Sequence, residues 1–342
     1  MLARRLAILA LIACGCPADS DDGDSGGDAG SGSGSSGTMD STPATSTSPN
    51  TTATTGMGND SSGGGGATTS GGSTGGGADS SGGSETGVVP VGSPGCGSQP
   101  TTLVEGDNNL MVGDLNRHYV LRMPSNYDPE TPWPLIFALH GNGGNPGYWD
   151  QIGGDRDIRT AFGEEAILII PEANNNAWRD YDADPSTWPA GMELELDFFD
   201  DVYQLAQDEL CIDTTNVFSM GFSGGGSFSG VLGCRRDYIR AIAVGGSVIY
   251  FEEADCTETP AAWITIGDQE LTAGREAFRD FFRDHAGCAD TSMPGDPMGC
   301  VDYDGCGPDT PVIFCSHPAG HVWPTIGTDA TKAFFQGFYA GG

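Results

Sequence analysis

The apolar positions divide this 342-residue chain into two unlike parts. Beyond about residue 100, short apolar runs take turns with helical faces. Residues 117–123 alternate apolar and polar, the period of a strand with one buried face. Residues 134–140 and 166–171 are continuous apolar runs, which suit strands covered on both faces of a parallel sheet. Residues 154–163 between them suit a short helix. Phe199, Val202, Tyr203, Ala206 and Leu210 fall at i, i+3, i+4, i+7 and i+11, one face of a helix. Asp and Glu crowd its first turns, where the helix dipole favours them. A strand at 216–222, a glycine-rich helix and strands at 240–245 and 262–267 follow. Phe278, Phe281, Phe282 and His285 mark another helix, with Thr272 as N-cap and Gly287 past its end. A strand at 311–316 and a helix at 329–339 close the chain. This alternation predicts an α/β fold with a mostly parallel, doubly wound sheet.

The N-terminal part has none of this pattern. Arg4 and Arg5 precede an apolar run, residues 6–13. The run is shorter than the roughly 20 residues a membrane-spanning helix needs, and it suits the core of an export signal. Leu11-Ile12-Ala13-Cys14 resembles the bacterial lipoprotein signal, in which cleavage before the cysteine leaves it to be lipidated. Cys14 fits better than Cys16; an ordinary signal cut nearby is the alternative. Acyl chains on Cys14 would anchor the protein to a membrane face without any transmembrane helix. Residues 1–16 are therefore read as signal and lipidation region. Residues 17–92 are Gly, Ser, Thr and Asp, with nine acidic side chains and no basic one. Such a segment cannot bury enough apolar area to offset its ordering entropy. It is expected to be a disordered linker reaching about 50 Å.

Residues 93–342 are long enough for one domain with a substantial core. This part holds 38 acidic and 12 basic side chains, a net charge of about −26. That field repels polyanions, so nucleic-acid binding is not expected. It holds eight cysteines: Cys96, Cys211, Cys234, Cys256, Cys288, Cys300, Cys306 and Cys315. An even number in an exported domain implies up to four disulfides. No C-x-x-C pair or neighbouring His spacing supports a metal site, and none is expected. One pairing follows locally. Residues 301–303 and 312–314 read as a hairpin, and if Tyr303 faces Val312, Cys300 faces Cys315.

The chemistry gathers around Gly221-Phe222-Ser223-Gly224-Gly225, which fits G-x-S-x-G, the nucleophile elbow of α/β-hydrolases. The residues two before and two after the serine must be small for strand, serine and helix to pack. Ser223 is then the nucleophile, and the N–H of Gly224 faces a developing oxyanion. A hydroxyl needs a base. His321, in the loop after the last strand, is where this fold places one. His118 and His285 read as structural or solvated; His317 ends a strand and fits either role. The acid should follow the strand at 262–267. Glu270 is preferred and Asp268, nearer the strand end, is the alternative. Leu139-His140-Gly141-Asn142-Gly143-Gly144 follows the first buried strand. Its second oxyanion donor is expected to be the N–H of Asn142, with Gly141 as fallback, and His140 is expected to brace the loop.

The chain further resembles the secreted feruloyl esterases and their relatives, the acetylxylan esterases and polyhydroxybutyrate depolymerases. The resemblance rests on Ser93-Pro94-Gly95-Cys96-Gly97, Leu139-His140-Gly141 with Gly143-Gly144, Asp200-Asp201-Val202, Leu210-Cys211-Ile212-Asp213 and the Ser223 motif. It continues through Leu232-Gly233-Cys234, Tyr303-Asp304-Gly305-Cys306 and Gly320-His321-Val322-Trp323-Pro324. It implies Ser223 as nucleophile and His321 as base. It also implies disulfides Cys211–Cys234 and Cys288–Cys306, which would leave Cys96–Cys256. The family carries Asp followed by an apolar-Pro step where this chain has Glu270-Leu271-Thr272.

The expectation is an exported serine carboxylic-ester hydrolase, working through an acyl-enzyme on feruloyl or acetyl esters of plant cell walls. It needs no cofactor and is expected to be a monomer. It would touch a membrane through its lipid anchor alone, at the bacterial cell surface or in the periplasm, or be secreted. The alternatives are a polyhydroxyalkanoate depolymerase acting on a polyester, or a non-catalytic surface-binding lipoprotein on a decayed hydrolase fold. Trp178, Trp188 and Trp323 could stack on an aromatic or sugar ring, or serve as packing.

Overall fold

The computed structural model describes residues 89–339. The export signal, Cys14 and most of the linker expected from the sequence lie outside them. The strands and helices run β1 (Gly106–Val112), β2 (Leu115–Arg122), β3 (Trp133–Leu139), α1 (Ile158–Phe162), β4 (Ile167–Pro171), α2 (Trp188–Glu209), β5 (Ile212–Phe222), α3 (Gly224–Arg235) and β6 (Ala241–Gly245). They continue with β7 (Ala261–Gly267), α4 (Ala273–His285), β8 (Ser292–Pro294), β9 (Cys300–Tyr303), β10 (Val312–His317) and α5 (Gly327–Tyr339).

The strands form one ten-stranded sheet in the order β1-β2-β4-β3-β5-β6-β7-β10-β9-β8. From β4 to β10 the neighbours are parallel; the pairs at both margins are antiparallel. The continuous apolar runs become β3 and β4, with every residue buried. Successive side chains of a strand point to opposite faces. Leu135, Phe137 and Leu139 therefore join the apolar layer under α2, α3 and α4. Ile136 and Ala138 join the layer under α1 and α5. The chain passes from β3 to β4 on one side, then returns to lay β5 on the other side of β3. At such a reversal the loops leaving two adjacent strands diverge and open a crevice at their carboxyl ends. Here the two ends are Leu139 and Gly221, which stand in register.

Two strands have no apolar signature in the sequence. β1 begins Gly-Asp-Asn-Asn, and β8 is three exposed residues. Both are edge strands, where one neighbour suffices and little core is covered. α2 starts at Trp188, well before the apolar face that reveals it, and α1 shrinks to five residues.

The structure pairs Cys288 with Cys306 and Cys300 with Cys315. The second bond joins residues directly opposite in the β9–β10 ladder. The other two pairings correct the sequence reading. Cys96 bonds Cys211, and Cys234 bonds Cys256, in place of Cys211–Cys234 and Cys96–Cys256. The cause is the path of the backbone. The N–H of Ser93 donates to Ile212 O at 2.9 Å and that of Gly95 to Gln207 O at 2.7 Å, so this segment brings Cys96 to the start of β5. Thr257 and Glu258 donate to the carbonyl of Cys234 at 2.9 and 3.1 Å, which brings the Cys256 loop onto the end of α3.

Peptide mapping without reduction should recover Cys96 linked to Cys211; a Cys211–Cys234 peptide would contradict this connectivity. Cys96–Cys211 spans 115 residues and Cys288–Cys306 spans 18. On the chain-entropy account, removing the first should destabilise the domain by about 1.6 kcal/mol more than removing the second. Paired denaturant titrations of the two double-serine variants check this.

Candidate active site

β5 delivers Ser223 into a left-handed backbone conformation, φ 56° and ψ −124°. For a residue with a side chain such a conformation costs about 1–3 kcal/mol and persists only where the surroundings enforce it. They do so here. The N–H of Ser223 donates to Gly245 O at 2.8 Å, and the N–H of Ser227 to Ser223 O at 2.9 Å. A Cβ on Gly221 would lie 2.5 Å from the carbonyl of Gly225, and one on Gly225 would overlap the carbonyl oxygens of Leu139 and His140. The glycines two before and two after the serine are therefore a packing requirement.

β10 carries His321 in its following loop, and its Nε2 lies 2.8 Å from Ser223 Oγ. The other ring nitrogen, Nδ1, donates to Glu270 Oε2. That bond fixes the tautomer: the proton sits on Nδ1, so Nε2 presents its lone pair to the serine hydroxyl. β7 ends at Gly267, and a tight turn over Asp268–Glu270 swings Glu270 inward to 7% side-chain exposure. The same turn leaves Asp268 exposed. The structure thus brings Glu270, not Asp268, to His321. Burial pushes the Glu270 carboxyl up, but the His321 hydrogen bond and charge and the nearby Arg275 guanidinium outweigh it and hold the group below the ordinary range.

The loop after β3 closes the other side. His140 is fully buried; its Nδ1–H donates to Gly141 O at 2.7 Å and its Nε2 accepts from the N–H of Ala173 at 3.2 Å. Both nitrogens are used by a neutral ring, and burial lowers its pKa further. The Asn142 side chain fills the space over Gly224. Its Oδ1 accepts from Trp178 N–H at 2.9 Å, and its Nδ2 donates to Arg179 O at 3.0 Å and Tyr250 Oη at 3.2 Å. Gly141 sits against the serine: a Cβ there would lie 3.3 Å from Ser223 Cβ. Gly141, Asn142, Ser223, Gly224, Glu270 and His321 therefore meet in one place.

The remaining histidines stand apart. His118 lies between Asp107 and Glu172, and His285 Nε2 is 3.0 Å from Glu258 O. His317, at the end of β10, is lowered chiefly by burial. Of the three tryptophans, Trp178 and Trp323 are buried and pack. Trp188 is half-buried beside a cleft of about 320 Å³ that Tyr250, Phe251 and Met192 also line. Sequence reasoning missed Arg275, Tyr148 and Tyr250. The Tyr148 ring stacks on Phe222, which in turn lies 4.6 Å from the His321 ring. No spacing signal marks these residues, because each reaches the site from a different segment of the chain.

A parallel sheet with this elbow and this chain of contacts at its reversal point defines an α/β-hydrolase of the carboxylic-ester class. No protein-family model matches the chain. Feruloyl esterase C of Emericella nidulans is 33% identical over 267 residues, covering 71% of this chain and 91% of that protein. A protein named "Probable feruloyl esterase C" from Aspergillus oryzae is 31% identical over 274 residues, covering 73% and 93%. The acetyl xylan esterase from Aspergillus awamori superposes with a TM-score of 0.52 at 14% identity, over 69% of this chain and 99% of that one, a likeness of fold. The chain belongs to the feruloyl esterase C family of carboxylic ester hydrolases.

If Glu270 orients His321, Glu270→Gln should lower kcat about 10²- to 10⁴-fold by favouring the wrong tautomer. Asp268→Asn should stay within about twofold of wild type. Steady-state kinetics on one soluble ester separates them, and the reverse order would reassign the acid.

Proposed function

We propose that this chain is an exported serine esterase that removes feruloyl or acetyl groups from plant cell-wall polysaccharide. The observation that carries the reading is the unbroken line Ser223–His321–Glu270 at the reversal of the sheet, in a member of the feruloyl esterase C family. His321 Nε2 takes the proton of Ser223 as Oγ attacks the ester carbonyl, and Glu270 stabilises the imidazolium that forms. The tetrahedral oxyanion is held by the N–H groups of Gly224 and Asn142. Gly224 opens α3, where the first N–H groups have no intrahelical acceptor. Gly141 O accepts from His140 and from the N–H of Gly144. In a trans peptide the next N–H points the opposite way, so Asn142 rather than Gly141 supplies the second donor. His321 then protonates the departing alcohol, and water, deprotonated by the same nitrogen, releases the acid.

Four disulfides within 250 residues support export, since such bonds persist in oxidising compartments. Anchoring through Cys14 is the finer part of this proposal, and metabolic labelling with a fatty acid in wild type and Cys14→Ser tests it.

The deciding assay is a substrate panel: p-nitrophenyl acetate and butyrate, methyl ferulate, acetylated xylan and a polyhydroxybutyrate suspension. Methyl ferulate or acetylated xylan should be cleaved best, and Ser223→Ala should lose about 10⁴- to 10⁶-fold in kcat. A folded wild type inert on all five would defeat the esterase reading and favour a binding lipoprotein. Preference for the polyester suspension would move the substrate to polyhydroxyalkanoate.

A further inference from the structure

Arg275 occupies a place that a triad of serine, histidine and acid does not need. It is the third residue of α4, and its N–H donates to Thr272 O at 3.1 Å, so the helix begins right after the turn that carries Glu270. Its Nε lies 3.1 Å from Glu270 Oε2, the oxygen that accepts from His321, as a charge contact without hydrogen-bond alignment, and its Nη2 comes to 3.2 Å from His321 Nδ1. The pair is enclosed, with side-chain exposures of 15% for Arg275 and 7% for Glu270. Glutamate has one more rotatable bond than aspartate. Its carboxylate therefore needs more fixing, and Gly267 N–H reaches Oε1 only at 3.3 Å.

We propose that Arg275 is a positioning residue, a fourth member of the catalytic line, whose enclosed positive charge lies against the Glu270 carboxylate and keeps it charged beneath His321. This rests on the serine-esterase reading above. The groups facing Glu270 are few. His321 comes from the loop after β10, His317 from the end of β10, Asp268 from the same turn, and Arg275 from α4, whose N-terminal dipole end has the same sign. Arg275 is the one fixed cation among them. It touches no substrate; it acts through Glu270.

The sign of the effect follows. A nearby cation favours the charged carboxylate, so losing it raises the pH at which Glu270 protonates. Activity requires Glu270 charged and His321 neutral, and losing the cation beside both works against each form; the double variant below separates the Glu270 route. In Arg275→Gln the acidic limb of the kcat/KM profile should therefore move up by about one pH unit, and kcat should fall roughly 10- to 100-fold with KM near wild type. Arg275→Lys keeps a charge there but seats it differently, so its limb should return to the wild-type position while kcat recovers in part. In a Glu270→Gln background, Arg275→Gln should change kcat less than about twofold, because both act through one carboxylate. A merely structural role would lower activity evenly at all pH values and multiply with Glu270→Gln. A limb that stays in place in Arg275→Gln, or losses that multiply, overturn the proposal. Should Arg275→Gln fail to fold by circular dichroism, Arg275→Lys decides: a limb displaced as far as one pH unit rules the charge out. Failure of the serine-esterase reading shows differently, as wild-type activity that survives Ser223→Ala.

Discussion

The close approach of two backbones at the sheet reversal governs this molecule. Ser223 can hold φ 56° because α3 begins before β5 has moved away from β3. Gly225 then lies against the carbonyls of Leu139 and His140. That contact does two jobs. It forces the serine side chain clear of the helix, and it sets the start of the loop after β3 beside the first turn of α3. Ser223 and the loop at Gly141 and Asn142 are thus one packed unit, and neither can shift without the other.

The residues around that unit hold it rather than line it. Trp178 donates its Nε1–H to His140 O at 2.6 Å, and its ring lies against His140 and Phe228. His140 spends both nitrogens on backbone groups. Asn142 is tied by Trp178, Arg179 and Tyr250, and Tyr181 donates to the same Tyr250 oxygen at 3.0 Å. A catalytic loop on the surface would be mobile if left to its own backbone. Here a buried imidazole and a side-chain amide give it the rigidity of the sheet, which the oxyanion role proposed for it would require.

How far the sequence reveals this follows from range. The core strands show because two buried faces demand unbroken apolar runs, and the elbow shows because its glycines are sterically necessary. The Cys300–Cys315 bond was legible because a hairpin register is a local property. The pairing of Cys96, Cys211, Cys234 and Cys256 was not, because it depends on where residues 92–98 run, and a few backbone hydrogen bonds fix that path. The choice between Glu270 and Asp268 turned on one short helical turn, and both acids follow the same strand. Arg275 was invisible for a related reason: a third residue of a helix carries no mark of what lies before its N-terminus.

Charge completes the picture. With an excess of acids this large, a carboxylate goes into the interior only where donors or a cation meet it. Three among the described residues are buried: Glu195, Asp213 and Glu270. Asp213 is met by the N–H of Val91, by Thr215 and by Asn216. Glu195 pairs with Arg117 at 2.7 Å and accepts from Asn174 N–H at 2.9 Å; burial still pushes its pKa up. Glu270 differs in sign, held below the ordinary range against the same burial by His321 and Arg275. One buried ion pair thus braces the loop after β4, and the other keeps a charge available beneath the imidazole. The difference lies in the surroundings: Glu195 and Arg117 are both 3% exposed, so burial prevails, whereas Glu270 meets two partners, Arg275 and a His321 that is 40% exposed. A carboxylate kept ionised in advance is what an imidazolium forming on His321 would require, and on our proposal the arginine at the start of α4 supplies it without entering the chemistry.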